Sequence, residues 1–183
     1  LFDTFSITPG RLVKEKGHDT LLEAMAKVNE NGIKLCHFIV GSGPLEEEIR
    51  SKVAEKKLSN VVFIAGLPQE ELFTLIKTCD FVVIPSVSEG FPMVVGEAMA
   101  LGKAVVASNI SGIVDMIEDE KEGLLVPPKD SHALAEAIER LYKDKALRNL
   151  LAMNAKEKIK LFDTKSIAKQ WKAYYEGMMS CVE

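Results

Sequence analysis

An open α/β fold, with a parallel sheet of about six strands and helices on both faces, is what this 183-residue sequence predicts. Three observations carry that expectation. Short β-branched runs alternate with helix-period runs almost from end to end. Several strand runs are continuously apolar rather than alternating, among them Val61-Val62-Phe63-Ile64 and Phe81-Val82-Val83-Ile84, as strands buried on both faces tend to be. Each connection is long enough for the crossover helix that a parallel pair of strands requires.

The first strand is predicted over residues 5–8. The first helix follows over 18–31, with Leu21, Leu22, Met25, Ala26 and Val28 on one face. A second strand, 34–40, leads to a helix over 44–56 that opens with Pro44 and three glutamates, suited to the positive helix end. Residues 61–65 form the third strand, and the helix over 68–79 repeats that start with Pro68, Gln69, Glu70 and Glu71. Strands over 81–84 and 104–107 flank a helix over 91–101, and a last strand is expected at 123–126. A helix over 131–142 then starts from Asp130 as N-cap.

From about Lys145 the strand signal stops and a helical C-terminal tail begins, over 146–161 and 164–179. The second tail helix carries Ile167, Ala168, Trp171, Tyr174, Tyr175 and Met178 on one stripe. Such a stripe needs an apolar partner, either on this domain or on a lobe outside the chain. Residues 1–183 read as a single Rossmann-like, doubly wound domain without an internal linker or repeat.

Composition removes several function classes. The 23 basic and 27 acidic side chains leave a net charge of −4, with no basic block to release counterions from a nucleic-acid backbone. The longest apolar runs are about half the roughly 20 residues a membrane span needs. Leu1-Phe2-Asp3-Thr4 has neither the basic lead nor the apolar core of a secretory signal. Cys36, Cys79 and Cys181 are odd in number, widely spaced and never CxxC, so reduced thiols and a cytoplasmic setting are expected. His18, His37 and His132 never share a motif, which leaves a metal site poorly supported.

In open α/β sheets ligands bind beyond the carboxyl ends of the strands, and here those segments hold most of the chemistry. They contain Thr8-Pro9-Gly10-Arg11 continuing to Lys16-Gly17, then Gly41-Ser42-Gly43-Pro44, Gly66-Leu67-Pro68, Pro85-Ser86-Val87-Ser88-Glu89-Gly90-Phe91-Pro92 and Ser108-Asn109-Ile110-Ser111-Gly112. Arg11 and Lys16 bracket a strand-to-helix loop, and two cations beside a helix N-terminus suit a diphosphate; Gly10 permits close approach of the backbone. Glu89 and Glu97 flank the start of the next helix, Glu97 about 7–8 Å along its axis. Met93 and Val94 would present free amides between these acids. Carboxylates accept strong hydrogen bonds from sugar hydroxyls. Glu97 lies among almost wholly apolar neighbours, where an acid usually has a partner or a task.

Two nucleotide motifs fail. A dinucleotide fingerprint needs a third glycine where Glu46 stands, and Gly102-Lys103 is followed by Ala104 and a strand rather than by Ser or Thr and a helix. No Asp-x-Asp occurs either.

Taken together, Gly10-Arg11-Leu12-Val13-Lys14-Glu15-Lys16-Gly17, Ser88-Glu89-Gly90-Phe91-Pro92 through Glu97-Ala98-Met99-Ala100, and Gly123-Leu124-Leu125-Val126 resemble one pattern. It is that of the C-terminal, donor-binding half of GT-B fold glycosyltransferases, in the retaining group called family 4 or group 1. The resemblance runs from Gly10 to about Tyr142. It implies a transferase that moves a sugar from a nucleotide-diphosphate donor without a metal ion and keeps the anomeric configuration. Arg11 and Lys16 would hold the diphosphate and Glu89 the donor sugar, these three forming the catalytic set. The segment Gly90, Phe91, Pro92, Met93 and Val94 would assist with sugar and phosphate. Glu97 would hold the ribose, while Gly10, Gly41 and Gly43 would let the backbone approach, with Gly66 and Leu67 near the base.

The chain departs from the pattern at Gly96, where a larger apolar residue is common, and at Pro92, where glycine is common; neither change removes a functional group. GT-B enzymes have two lobes, and the acceptor-binding N-terminal lobe is absent from these 183 residues. The resemblance therefore implies a fragment or excised domain, inactive by itself. Two alternatives stand beside it, a non-catalytic nucleotide- or carbohydrate-binding module and, with less support, a sugar-nucleotide epimerase. The residues leave open the sugar, base, acceptor, oligomeric state and any peripheral membrane contact of the full-length protein.

Overall fold

Residues of the central strands alternate between two separate apolar cores, which explains their uninterrupted apolar runs, whereas the run Val61–Ile64 lies at the sheet edge and leaves Val62 exposed. In the computed structural model, which describes residues 2–90 and 92–163, the strands are β1 (Thr4–Pro9), β2 (Leu35–Val40), β3 (Val61–Ile64), β4 (Phe81–Ile84), β5 (Ala104–Ser108) and β6 (Leu124–Val126). All neighbours pair in parallel, in the order β3-β2-β1-β4-β5-β6. On β4, Phe81 and Val83 join one core while Val82 and Ile84 join the other. Ala104 and Val106 of β5 divide from Val105 and Ala107 in the same way.

Helices α1 (His18–Glu30) and α5 (Ser131–Lys143) pack on each other over the first core. Helices α3 (Gln69–Thr78) and α4 (Met93–Ala100) cover the second core through Ile76, Val95, Ala98 and Met99. Helix α2 (Glu46–Glu55) fully buries only Ile49. Helix α6 (Lys145–Lys158) sends Leu151 into the first core and Ala155 into the second. Truncating a residue as large and enclosed as Phe81 to alanine would cost about 3–5 kcal/mol.

The amino edge of the sheet is locked by polar groups. Asp80 accepts a hydrogen bond from the Phe5 amide at 2.9 Å, returns one from its own amide to the Phe5 carbonyl at 2.7 Å, and pairs with Arg148 of α6 at 3.1 Å. Arg148 is buried and also donates to the Leu141 carbonyl, so every charge drawn inside has a partner. Glu122 is likewise buried, paired with Lys158 at 3.0 Å and accepting from the Glu118 amide. Lys103 caps the end of α3 by donating to the Lys77 and Cys79 carbonyls.

Several expectations are corrected by the structure. Pro44 lies in a turn, and α2 begins two residues later at Glu46. Ala24 joins the buried face of α1, on whose margin Ala26 packs half-buried against the same core. Helix α6 packs on β5, α4 and α5 of this domain. The segment around Ile113, Met116 and Ile117 has no regular element yet supplies three buried side chains to the second core. Asp130 caps α5 as expected, accepting from the amides of His132 and Ala133. Cys36 and Cys79 are free and buried. The predicted helix over 164–179, and Cys181, lie outside the described residues.

One buried base makes stability depend on pH. His37 on β2 is enclosed; Nδ1 shares a 2.7 Å hydrogen bond with the Ser6 hydroxyl, and Nε2 has no partner among the described residues. Burial, reinforced by His18, pushes its pKa from 6.5 down to about 3. Between those values the unfolded chain binds the proton and the folded chain does not, so stability falls as pH is lowered through the window. The ring alone should remove about 2 kcal/mol between pH 6.5 and 5. Urea unfolding of the protein and of His37→Gln should show this loss in the former and a shallower slope in the latter.

Candidate functional site

The winding reverses between β1 and β4, so the loops leaving these strands part toward opposite faces and open a crevice at the carboxyl edge. Backbone contact keeps the two loops together. The Val87 amide donates to the Glu15 carbonyl at 2.8 Å. Gly17 adopts φ +67°, and a Cβ placed there would lie 1.9 Å from the Pro85 carbonyl oxygen. A matching approach joins the β1 and β2 loops, where a Cβ on Gly41 would lie 1.9 Å from the Gly10 carbonyl oxygen. Only glycine satisfies either position.

A cavity of about 190 Å³ opens where the β1 and β4 loops meet, lined by Thr8, Pro9, Gly10, Lys16, His18, Ile84, Pro85, Ser86, Glu89, Pro92, Met93 and Val94. Its central contact is an ion pair between residues far apart in sequence. Lys16 Nζ donates to Glu89 Oε1 at 2.6 Å, and the Ser86 hydroxyl donates to the same oxygen at 2.7 Å. Side-chain exposure is 26% for Lys16 and 11% for Glu89, so the pair is shielded from water yet reachable from the cavity.

Two helix N-termini converge here. Lys16 ends a short 3₁₀ turn, and Gly17 then opens α1 without a side-chain cap. Pro92 opens α4, also uncapped, and the amides of Met93 and Val94 have no acceptor among the described residues. Helices α2 and α3 offset their open ends with Glu46, Glu47 and Glu48 or with Glu70 and Glu71. Helices α5 and α6 are capped by Asp130 and Asp144. Among the described α-helices α4 alone has neither a side-chain cap nor an acid in its first turn. Its positive end is therefore available to an anion.

His18 is buried at the start of α1 and lines the cavity. Its Nε2 donates across 3.4 Å to the Arg11 carbonyl, and Nδ1 has no partner among the described residues. Burial holds this imidazole below the usual histidine range, against the raising effect of the bond to Arg11.

The structure joins some expected site residues and separates others. Lys16, Glu89, Gly10, Pro92, Met93 and Val94 line one cavity. The Arg11 side chain is exposed, with no ion pair among the described residues. Glu97 is half-buried outside the cavity, where it accepts from Gln69 Nε2 at 3.4 Å. That contact sets it beside the β3 loop, in which Gly66 is exposed and Leu67 packs on the second core. Gly43 backs onto the Leu12 carbonyl, and Gly66 stands 3.7 Å from the Ser42 hydroxyl when its missing Cβ is drawn in. Gly90 faces open space. Phe91 lies outside the described residues.

Sequence reasoning singled out neither Ser86, His18 nor Gly112. Ser86 could have been found from its i, i+3 spacing to Glu89, whereas the burial of His18 has no sequence signal. Gly112 at φ +86° leans on the Gly90 carbonyl and supports the turn carrying Glu89. A Cβ on Gly96 would lie 3.1 Å from the end of the Met116 side chain and 3.5 Å from that of Ile159, so a larger residue there requires these ends to shift. No group of three His, Cys, Asp or Glu side chains among the described residues is arranged to hold a metal ion.

Comparison with known proteins agrees with the fold. The family model described as "Glycosyl transferases group 1" matches residues 3–158. The chain is 32% identical over 178 residues to the N-acetylgalactosamine-N,N'-diacetylbacillosaminyl-diphospho-undecaprenol 4-alpha-N-acetylgalactosaminyltransferase of Campylobacter jejuni, covering 97% of this chain and 48% of that protein. Among solved structures it is similar to HepE from Anabaena in complex with UDP-glucose, with 26% identity, a TM-score of 0.83, and 96% and 49% coverage. It is also similar to the C-terminal domain of the group 1 family protein LpcC from Francisella tularensis, with 27% identity, a TM-score of 0.78, and 87% and 86% coverage. The chain spans about half the length, or less, of the curated relatives it matches.

The glycine contacts make a contrast that can be measured. Gly17→Ala and Gly41→Ala place a Cβ inside a carbonyl group and should each lose about 3 kcal/mol or more. Gly90→Ala meets nothing and should stay within about 1 kcal/mol of the parent in urea unfolding.

Proposed function

Because the chain belongs to the group 1 glycosyltransferases, we propose that it forms the donor-binding, C-terminal lobe of a retaining, family 4 enzyme transferring a hexosyl unit from a nucleotide-diphosphate sugar. One observation carries the reading: the Lys16–Glu89 ion pair sits between two open helix ends where the winding of the sheet reverses. Placement as a C-terminal lobe is supported by the similarity to the LpcC domain, and a nucleotide-sugar ligand by the similarity to HepE with UDP-glucose.

The diphosphate would rest against the amides of Met93 and Val94, with Lys16 and the exposed Arg11 turning to its oxygens. Negative charge grows on the leaving diphosphate as the glycosidic bond breaks, so fixed positive groups act most strongly in the transition state. In this reading those groups serve without a metal ion. Glu89 accepts from hydroxyls of the donor sugar. Glu97, beside Gly66 and Leu67, accepts from the ribose, with the base lying over the β2 and β3 loops near Gly41 and Gly43. Retention is part of the proposal through the family resemblance.

The acceptor would bind an N-terminal lobe, without which the 183 residues bind donor but transfer little sugar. No helix among the described residues is long and apolar enough to cross a membrane. A cytoplasmic setting is proposed from the unpaired cysteines. Peripheral membrane contact of the whole enzyme is proposed from the diphospho-undecaprenol in the name of the Campylobacter relative.

Calorimetric titration with UDP, GDP and ADP and their hexose conjugates tests the reading. Binding of one of these series supports it, and no binding at millimolar concentration overturns it. Lys16→Ala should weaken the nucleoside diphosphate about 10–100-fold, the loss expected for a charge-assisted contact. Arg11→Ala should act in the same direction. Glu89→Ala should weaken the conjugate more than the free diphosphate, and Glu97→Ala should weaken both.

A further inference from the structure

The Glu89 carboxylate is held through one oxygen. Oε1 accepts from both Lys16 and Ser86, and no donor among the described residues engages Oε2. The two donors differ in stiffness. Lys16 reaches Oε1 on a flexible four-carbon stem and has other hydrogen-bond donors to offer an anion. Ser86 is 1% exposed, on a short side chain between two pinned neighbours: Gly17 presses on the Pro85 carbonyl, and the Val87 amide is bonded to Glu15.

We propose that Ser86 is a positioning residue that anchors Glu89 Oε1, so that Oε2 stays directed to the hydroxyls of the donor sugar when Lys16 turns to the diphosphate. The inference rests on the reading of the cavity as the sugar and diphosphate site. Lys16 alone could not serve both ends of the donor, because its move to phosphate would release the acid at the moment the sugar needs it. A hydroxyl fixed by the β4 loop holds Glu89 whichever partner Lys16 takes. Ser86 therefore acts through Glu89 and contributes to selection of the sugar rather than of the nucleotide.

The test is a double-mutant cycle read by calorimetry on the 183-residue chain. The probes are UDP, GDP and ADP, each with its glucose, galactose, mannose and N-acetylglucosamine conjugates. The quantity measured is the affinity ratio of the best-binding conjugate to its free diphosphate. Ser86→Ala should reduce that ratio about tenfold, as expected for loss of a hydrogen bond to a charged group. In a Glu89→Ala background the same change should have no further effect, because the group Ser86 positions is already gone. An unchanged ratio in Ser86→Ala, with the diphosphate still bound, would overturn this role alone. An equal loss in both backgrounds would also overturn it, since Ser86 would then be acting directly or through the loop. Failure of the parent chain to bind any diphosphate or conjugate would overturn the donor-site reading and this inference with it. Circular dichroism melts of each variant separate these outcomes from misfolding.

Discussion

The near-contact between Gly17 and Pro85 is the constraint from which the rest of the site follows. Without a side chain at Gly17, the loop leaving β1 lies directly on the loop leaving β4, and the Val87–Glu15 hydrogen bond holds it there. Lys16 precedes that glycine by one residue and Glu89 follows Pro85 by four, so both side chains arrive at one crevice. The same turn starts α1 and so aims its N-terminus at the cavity. A larger residue would lift one loop off the other and separate the charges.

Polar chemistry is divided between the two edges of the sheet. At the amino edge Asp80 and Arg148 satisfy each other and tie α6 to β1 and β4, an arrangement suited to stability. At the carboxyl edge the amides of Met93 and Val94, the second oxygen of Glu89 and the Arg11 guanidinium are left without protein partners among the described residues. Open donors and acceptors at a surface crevice cost little while water reaches them, and they can be exchanged for a ligand of matching charge. A rigid, satisfied end thus carries an unsatisfied, receptive one.

The strands and their order along the chain were legible because burial on both faces leaves a direct trace: β4 was read at its observed bounds, and the others within about one residue. Helix starts were less legible. Pro44 suits a first turn, but the tight packing of Gly43 on Leu12 holds Pro44 and Leu45 in a turn before α2 begins. The irregular segment around Ile113 and Met116 was missed as core, since it has neither period. Lys16 and Glu89 were chosen from residue type and place in a loop. Arg11 and Glu97 were chosen by the same reasoning, yet they lie outside the cavity that joins the first two.

Sequence by itself determined the layered architecture, the rim on which polar residues gather, and the kind of ligand such residues suit. These depend on hydrophobic period and on the chemistry of single side chains, both written locally. Only the tertiary structure decided which acid meets which cation, that Ser86 and Lys16 share one oxygen of Glu89, and that α4 keeps its amides open. Those contacts join residues up to 73 positions apart. They depend on approach distances of a few ångströms between loops, which no local pattern of residues encodes.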